Sequence, residues 1–377
     1  LKSFKYYHFI IENIMAKNIN VAIIGVGDVA SALVQGCENY KQNPDKVIGI
    51  LPEITQYNIN NINFVLGIDV NAKKVGKDLS EAIFVEPNCN MKLFKPNLLD
   101  APVKKGPILD GLDSNIKDII PVDESQKPVD ILNELKLRKV DIVVILLPTG
   151  SHKAAKYYAL TALKAGACII NGMPSHVVKD DEIVEKAKKL NLSLIGDDVK
   201  SQVGATIIHR SLANLFPMRG AVLDRTLQLD WGGSSDFCNL LTPMKNGTLR
   251  YEEGKRQSKT ESVIANLQNK DAVDCQISAV DYIPFLKNQK EAYMRLEGRI
   301  FGGAPVRIDL TLFVEDGNNS AGVITDCIRV SKIAKDRKIG GVLESACSFF
   351  AKHPPEQLED HIAKRRLIEF LRNERER

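Results

Sequence analysis

One stretch constrains the fold more than any other: "INVAIIGVGDVASALVQG", residues 19–36. Val21 to Ile24 form a continuous apolar run, which suits a strand buried on both faces. Gly25 and Gly27 follow at once. Ala30, Leu33, Val34 and Cys37 then recur at helical spacing. The chain passes from strand through tight turn to helix. A parallel sheet covered by helices is the architecture that accommodates such a unit.

The pattern repeats downstream. "NFVLGIDVNAKKVGKDLSEAI" reads as a strand ending at Asp69 and then a helix. Residues 142–147 read as a strand, 151–165 as a helix and 167–170 as a strand. A helix over 180–189, a strand over 192–195 and a helix from about Ser201 complete the series. This predicts a Rossmann-type, doubly wound α/β sheet over 15–206. Residues 88–137, rich in Pro, Asn and Asp, are expected to be an insertion of loops and short pieces. Residues 1–14 are expected to be an extension outside the fold.

The grammar changes after about residue 207. "RTLQLDWGG" alternates Leu227, Leu229 and Trp231. Further on, Val306, Ile308, Leu310, Leu312 and Val314 share one face, with Gly302 and Gly303 between two such runs. That predicts an antiparallel hairpin within an inserted α+β domain over 207–316. Its apolar face needs a cover from helices or another subunit. Helical patterns return over 317–377, which is expected to rejoin the first sheet. The charged ending "AKRRLIEFLRNERER" reads as a solvated helix.

Composition narrows the function. The 377 residues carry a net charge of +4, too mild for a nucleic-acid-binding face. No apolar run reaches the roughly 20 residues that span a bilayer. Seven scattered cysteines without a C-x-x-C pair favour a reducing, cytoplasmic setting over a disulfide framework. His152, His176, His209 and His353 are isolated, so no metal-ligand spacing stands out.

Three motifs carry chemistry. In Gly25-x-Gly27-x-x-Ala30, the first glycine permits the turn and the second lets backbone approach a pyrophosphate. Ala30 allows close helix packing. Asp28 sits awkwardly near such an anion unless it points away. Asp69 ends the next strand, where it would accept ribose hydroxyls and favour NAD over NADP. The insert "NPDKVIGILPEITQYNINN" stretches the usual spacing, and a glycine turn without a ligand stays possible. "GDDVKSQVGATIIHR" places Lys200 and Ser201 at a helix start beside Asp197 and Asp198. That is either an anion site or an N-cap with solvated charges. In "EEGKRQSKTES", Lys255 and Lys259 share a helix face, where like charges repel. Taken locally, that stretch reads as a solvated run.

Read together, "VAIIGVGDVASALVQG", "LPTGSHKAAKYYA", "IGDDVKSQVGATIIHR", "LDWGGSSDFCNLL", "QSKTESV", "DYIPFLKNQKEA" and "FFAKHPP" resemble the myo-inositol-1-phosphate synthases in content and order. The short archaeal and actinobacterial branch is the nearest in form. The resemblance implies conversion of D-glucose 6-phosphate to 1L-myo-inositol 1-phosphate with tightly bound NAD. It implies oxidation at C5, enolisation, intramolecular aldol closure and re-reduction. By the same resemblance Lys255, Lys259, Lys290, Lys352 and Asp316 are catalytic. Lys259 and Lys290 fall to the phosphate and sugar, Lys255 and Lys352 to the reacting carbons. Lys200, Ser201, Gln202, Asp236 and Asn239 would bind substrate. Gly25, Gly27, Asp28, Val29, Ala30, Asp69, Pro148, Thr149, Gly150, Asn171, Asp198 and Thr206 would hold the cofactor. The resemblance also implies a homotetramer built on the inserted domain's sheet. A divalent metal or a monovalent cation assists some members of the family. Two departures stand out: the glycine loop is the short form, and Ser234 replaces an Asn common in relatives.

Two other functions fit parts of the chain. An ordinary NAD-dependent dehydrogenase would accumulate NADH, whereas the cyclase would not. A non-catalytic NAD-sensing protein would have no use for four lysines drawn from distant segments.

Overall fold

The computed structural model describes residues 18–377 apart from 113, 245, 253, 266 and 268–271. The expected extension over 1–14 lies outside the described residues. Strand β1 (Ile19–Ile24) leads through the glycine turn into α1 (Asp28–Gln42). β2 (Ile62–Asp69), the short α2 (Leu79–Ala82), β3 (Val103–Lys105), α3 (Ser114–Lys117) and α4 (Ile131–Leu137) follow. Then come β4 (Ile142–Ile145), α5 (His152–Ala165), β5 (Cys168–Asn171), α6 (Asp181–Leu190) and β6 (Ser193–Ile195).

These strands form a parallel sheet in the order β11-β6-β5-β4-β1-β2-β3, where β11 is Gly341–Val342. Val21, Ala22 and Ile23 are wholly buried, as a strand covered on both faces requires. Helix ends follow local chemistry. The Asp180 carboxylate caps α6 by accepting the Ile183 amide at 3.2 Å. Gly166 and Asn191 close α5 and α6 in the left-handed conformation.

Two expectations change here. The helix foreseen after β2 is mostly turn, because Asn71 accepts the Lys73 amide and Gly76 adopts a φ of +90°. The 88–137 segment is more than an insertion: β3 within it pairs with β2 and extends the sheet.

α7 (Ala205–Met218) leads to a second, four-stranded sheet in the order β10-β9-β7-β8. β7 is Val222–Gly232, β8 Asp274–Tyr282, β9 Gln289–Arg299 and β10 Pro305–Glu315. α8 (Ser235–Leu240) and α9 (Lys255–Ile264) lie between β7 and β8. β9 and β10 form the expected antiparallel hairpin, and β7 pairs antiparallel with β9. The sheet is nevertheless mixed, since β8 joins β7 in parallel.

The face of this sheet turned inward also differs from the reading of β7. Leu227, Leu229 and Trp231 are only half-buried, while Thr226, Gln228 and Asp230 are buried. The register sets this, because Gln228 stands opposite Met294 and Asp230 opposite Ala292, both buried residues of β9.

α10 (Asp316–Asp336), α11 (Glu344–Phe350) and α12 (Asp360–Leu371) complete the chain. α10 packs against α1 and β5, and β11 adds an edge to the first sheet beside β6. The main core therefore joins residues from 19–199 with residues from 321–371. α12 is not fully solvated: Ala363, Leu367, Phe370 and Leu371 are buried.

Candidate active site

A cavity lies at the carboxyl ends of β1, β2, β4 and β6, where the parallel order branches on either side of β1. Ligands of open α/β sheets collect in this position. One end is the glycine turn. Gly25 has a φ of +92°, and a Cβ there would meet the Leu146 carbonyl oxygen at 2.5 Å. A Cβ at Gly27 would meet no protein atom within 4 Å, so the cavity side of this turn is free for a ligand. No side chain caps α1, which leaves its first amides for an anion. The turn thus fits a dinucleotide pyrophosphate.

Asp69 organises this turn. Its carboxylate accepts the Val26 amide at 2.8 Å, the Val70 amide at 2.7 Å and the Asn71 amide at 2.8 Å. It still borders the cavity, with acceptor capacity left for a hydroxyl. Asp28 does point away from the turn: its carboxylate accepts the Cys89 and Asn90 amides at 2.7 and 3.2 Å. Burial raises its pKa against those bonds. Lys74, which the sequence reading missed, is buried beneath the turn and donates to the Val26 carbonyl and to Asn88, both at 2.7 Å. Burial lowers its pKa, opposed by Asp69 and Asp28.

The other end of the cavity is cationic. Lys255, Lys259, Lys290 and Lys352 all border it, from α9, β9 and the segment after α11. Within α9, Ser258, Lys259, Ser262 and Val263 are buried at helical spacing. Lys255 shares that side, while Arg256 points away, 4.0 Å from Glu252 and 3.2 Å from Gln276. The run "EEGKRQSKTES" is therefore split between a site face and a solvent face.

Asp198 ties two of these segments together. It accepts Lys352 Nζ at 2.9 Å and Ser258 Oγ at 2.7 Å. Burial resists its ionisation, yet Lys352 and Lys255 bring its pKa down to about 2. The partners are unequally affected. Lys352 is lowered to about 8, because burial and the neighbouring charges of Lys255 and Lys259 outweigh Asp198. Lys255 goes the other way: burial lowers it, but Asp236 (3.5 Å away), Asp198 and Asp316 raise it further. Among the described residues, no three His, Cys, Asp or Glu side chains are gathered to hold a metal ion. Lys255 is the cation that those three carboxylates share.

Most sequence-derived positions meet in this cavity. Gly25, Gly27, Asp28, Val29, Ala30, Asp69, Pro148, Thr149, Asp198, Ser201, Thr206, Asp236 and Asp316 join the four lysines along its wall. Five do not. Lys200 donates to the Ser348 carbonyl at 2.9 Å and pairs with Asp360, so it fastens α11 and α12. Burial and Arg210 lower its pKa to about 8. Gln202 reaches the Gly49 carbonyl at 2.7 Å. Asn239 donates to the Thr149 carbonyl at 2.9 Å and braces the Pro148–Gly150 turn from behind. Gly150 makes room for Arg250, which donates to the same carbonyl. Asn171 donates to Met173, Ser175 and Asp197, inside the fold. Each is a polar residue or glycine at a strand or helix end. Such residues are used for turns as readily as for ligands.

The sequence model of the myo-inositol-1-phosphate synthase family matches residues 204–317, which include α7, the mixed sheet and α9. An inositol-3-phosphate synthase of Mycolicibacterium smegmatis is 42% identical over 94% of this chain and 98% of that protein. This chain belongs to the myo-inositol-1-phosphate synthase family. A second member, from Corynebacterium glutamicum, is 40% identical over 94% of this chain and 98% of its own length. Among solved structures, a myo-inositol-1-phosphate synthase-related protein from Thermotoga maritima shares the fold, with a TM-score of 0.76 and 23% identity over 94% of this chain and 98% of that one.

Proposed function

We propose that this chain is an NAD-dependent inositol-3-phosphate synthase, converting D-glucose 6-phosphate to 1L-myo-inositol 1-phosphate. The observation that carries this reading is one cavity with a dinucleotide turn at one end and four lysines at the other. A dehydrogenase needs one proton acceptor beside its cofactor. A cyclase that passes through an enolate and an alkoxide needs several cations.

The glycine turn and Asp69 would hold NAD, which would supply the acceptor and later the donor of the C5 hydride. The chain's own groups do the rest. Lys352, held near 8, exchanges a proton at near-neutral pH and so serves enolisation beside C5. Lys255, held charged by three carboxylates, meets the negative charge that develops during ring closure. Asp198 fixes Lys352 without sharing its proton. Lys259 and Lys290 take the phosphate together with the start of α7, which no side chain caps.

We further propose that copies of the chain assemble through the outer face of the mixed sheet as a homotetramer. Half-buried Leu227, Leu229 and Trp231 and exposed Phe313 lie on that face. The cytoplasm is the proposed site of action, and all seven cysteines are free, as a reducing setting permits. Among the described residues no helix is long and apolar enough to cross a membrane.

Phosphorus NMR of the protein with glucose 6-phosphate and NAD tests the activity. Inositol 1-phosphate should form without net NADH. Stoichiometric NADH, or no turnover with bound NAD, would overturn the reading.

A further inference from the structure

A carboxylate outside the sequence-derived site stands behind the lysines. Asp230 is fully buried near the end of β7, yet Lys259 and Lys290 both turn to its Oδ2, at 2.5 and 3.8 Å. The lysines border the cavity and Asp230 does not. Gln228 Nε2 donates to both oxygens of Asp230, at 2.9 and 3.0 Å. Its Oε1 therefore faces His209 Nδ1 at 3.0 Å, and His209 Nε2 lies 2.6 Å from Thr226 Oγ1. An amide that gives its NH₂ to a carboxylate offers only its oxygen behind, and that oxygen is what His209 Nδ1 meets. Burial lowers the His209 pKa to about 4, which leaves one ring proton to place. Asp230 itself is held below the usual carboxylate range: burial opposes this, and Lys259 and Lys290 overcome it.

We propose that Asp230 is a resident counter-anion, oriented by Gln228 and His209, that competes with the substrate's phosphate for Lys259 and Lys290. It is a positioning residue. This rests on the synthase reading only in naming the phosphate ester that turns over.

The physical logic is that of a placeholder. Two ammonium groups held beside each other repel, and leaving the buried one of Lys259 unpaired would be strongly destabilising. Asp230 keeps both protonated groups aimed at one point before substrate arrives. Lys259 lies 5.2 Å over the Tyr251 ring and Lys290 5.9 Å over that of Phe237, so apolar walls confine them. The uncapped start of α7 borders the same space. When phosphate enters, the lysines are shared between it and Asp230. Substrate and product both carry a phosphate ester. Tighter binding of that ester would hold both alike and would not raise kcat. A built-in competitor weakens both and speeds product release.

Asp230→Asn tests this, because it removes the charge and keeps the size. Thermal stabilisation of the NAD-loaded protein by inorganic phosphate reads the site without turnover. Phosphate should bind the variant about tenfold more tightly than wild type, the scale of one ionic contact. With glucose 6-phosphate, KM and kcat should both fall. Unchanged or weaker phosphate affinity, or a raised KM, overturns the proposal. If the Asn variant is insoluble, Asp230→Ser replaces it. Folding of either variant restored by phosphate supports the proposal, whereas failure of both to fold even in phosphate overturns it. The phosphate titration stands even if glucose 6-phosphate is not turned over, so the two readings fail separately.

Discussion

Two buried aspartates pair with three of the four lysines, and they do so differently. Asp198 sits at the carboxyl end of β6 in the parallel sheet, with a φ of +58°, and borders the cavity. Asp230 sits near the end of β7 in the mixed sheet and is shut away from the cavity. Asp198 takes Lys352 and Ser258, and Lys352 is left with a pKa near 8. Asp230 takes Lys259 and Lys290, with Gln228 behind it. The first pairing keeps a proton mobile near the cofactor turn. The second keeps two charges in place. The same pair of residue types serves proton exchange or anion holding, depending on how many cations crowd the carboxylate and how close it lies to the reacting atoms.

The sharpest way to break this contrast is to remove one lysine from each side. Lys352→Met should lower kcat about 10³-fold, the loss of a transition-state group, with a much smaller change in the glucose 6-phosphate KM. Lys259→Met should raise that KM strongly as well as slowing turnover. Steady-state kinetics at saturating NAD reads both. An identical kcat and KM pattern in the two variants would remove the division of labour.

The pH profile gives the next effect. If neutral Lys352 is the base, kcat/KM should rise with pH through about 8. Asp198 is the leading influence holding that proton on. Asp198→Asn should therefore move the rising limb to lower pH, while Asp230→Asn should leave it in place. A limb that moves in both variants, or in neither, contradicts the separate roles.

A smaller change probes one hydrogen bond. Ser258→Ala removes the 2.7 Å bond to Asp198 and should cost about 1 kcal/mol of stability. Its limb should also shift, but less than in Asp198→Asn. Thermal melting and the same profile measure this. At the bottom of the scale, Arg256→Ala should change activity by less than about twofold and stability by less than about 0.5 kcal/mol. It shares a helix with Lys255 and Lys259 but faces Glu252 and Gln276. A large loss there would show that α9 presents a different face to the site.

The parallel sheet was legible because Val21 to Ile24 and residues 142–145 are apolar without a break, and only a strand covered on both sides tolerates that. The spacing of Lys255 and Lys259 placed them on one helix face, but their repulsion gave no local reason for it. That reason lies in Asp198 and Asp230, 57 and 29 residues from the lysines they respectively approach, or, for Asp198 and Lys352, 154 residues away. Lys200, Asn171 and Asn239 illustrate the opposite error. Their residue types and strand-end or helix-end positions suit ligands, and the fold spends them on turns and on docking α11 and α12.

The sequence by itself determined the glycine turn, the alternation of strands and helices, the hairpin around Gly302, and the family. Periodicity and backbone permissiveness are local properties, and neighbours in sequence suffice to express them. The tertiary structure alone decided which face of β7 is buried. It exposed part of the Leu227–Trp231 stripe and placed Thr226, Gln228 and Asp230 inside. It also decided which lysine has a mobile proton. Both depend on charges and partners that distant segments bring within a few ångströms, and on burial that strengthens their interaction once water is gone.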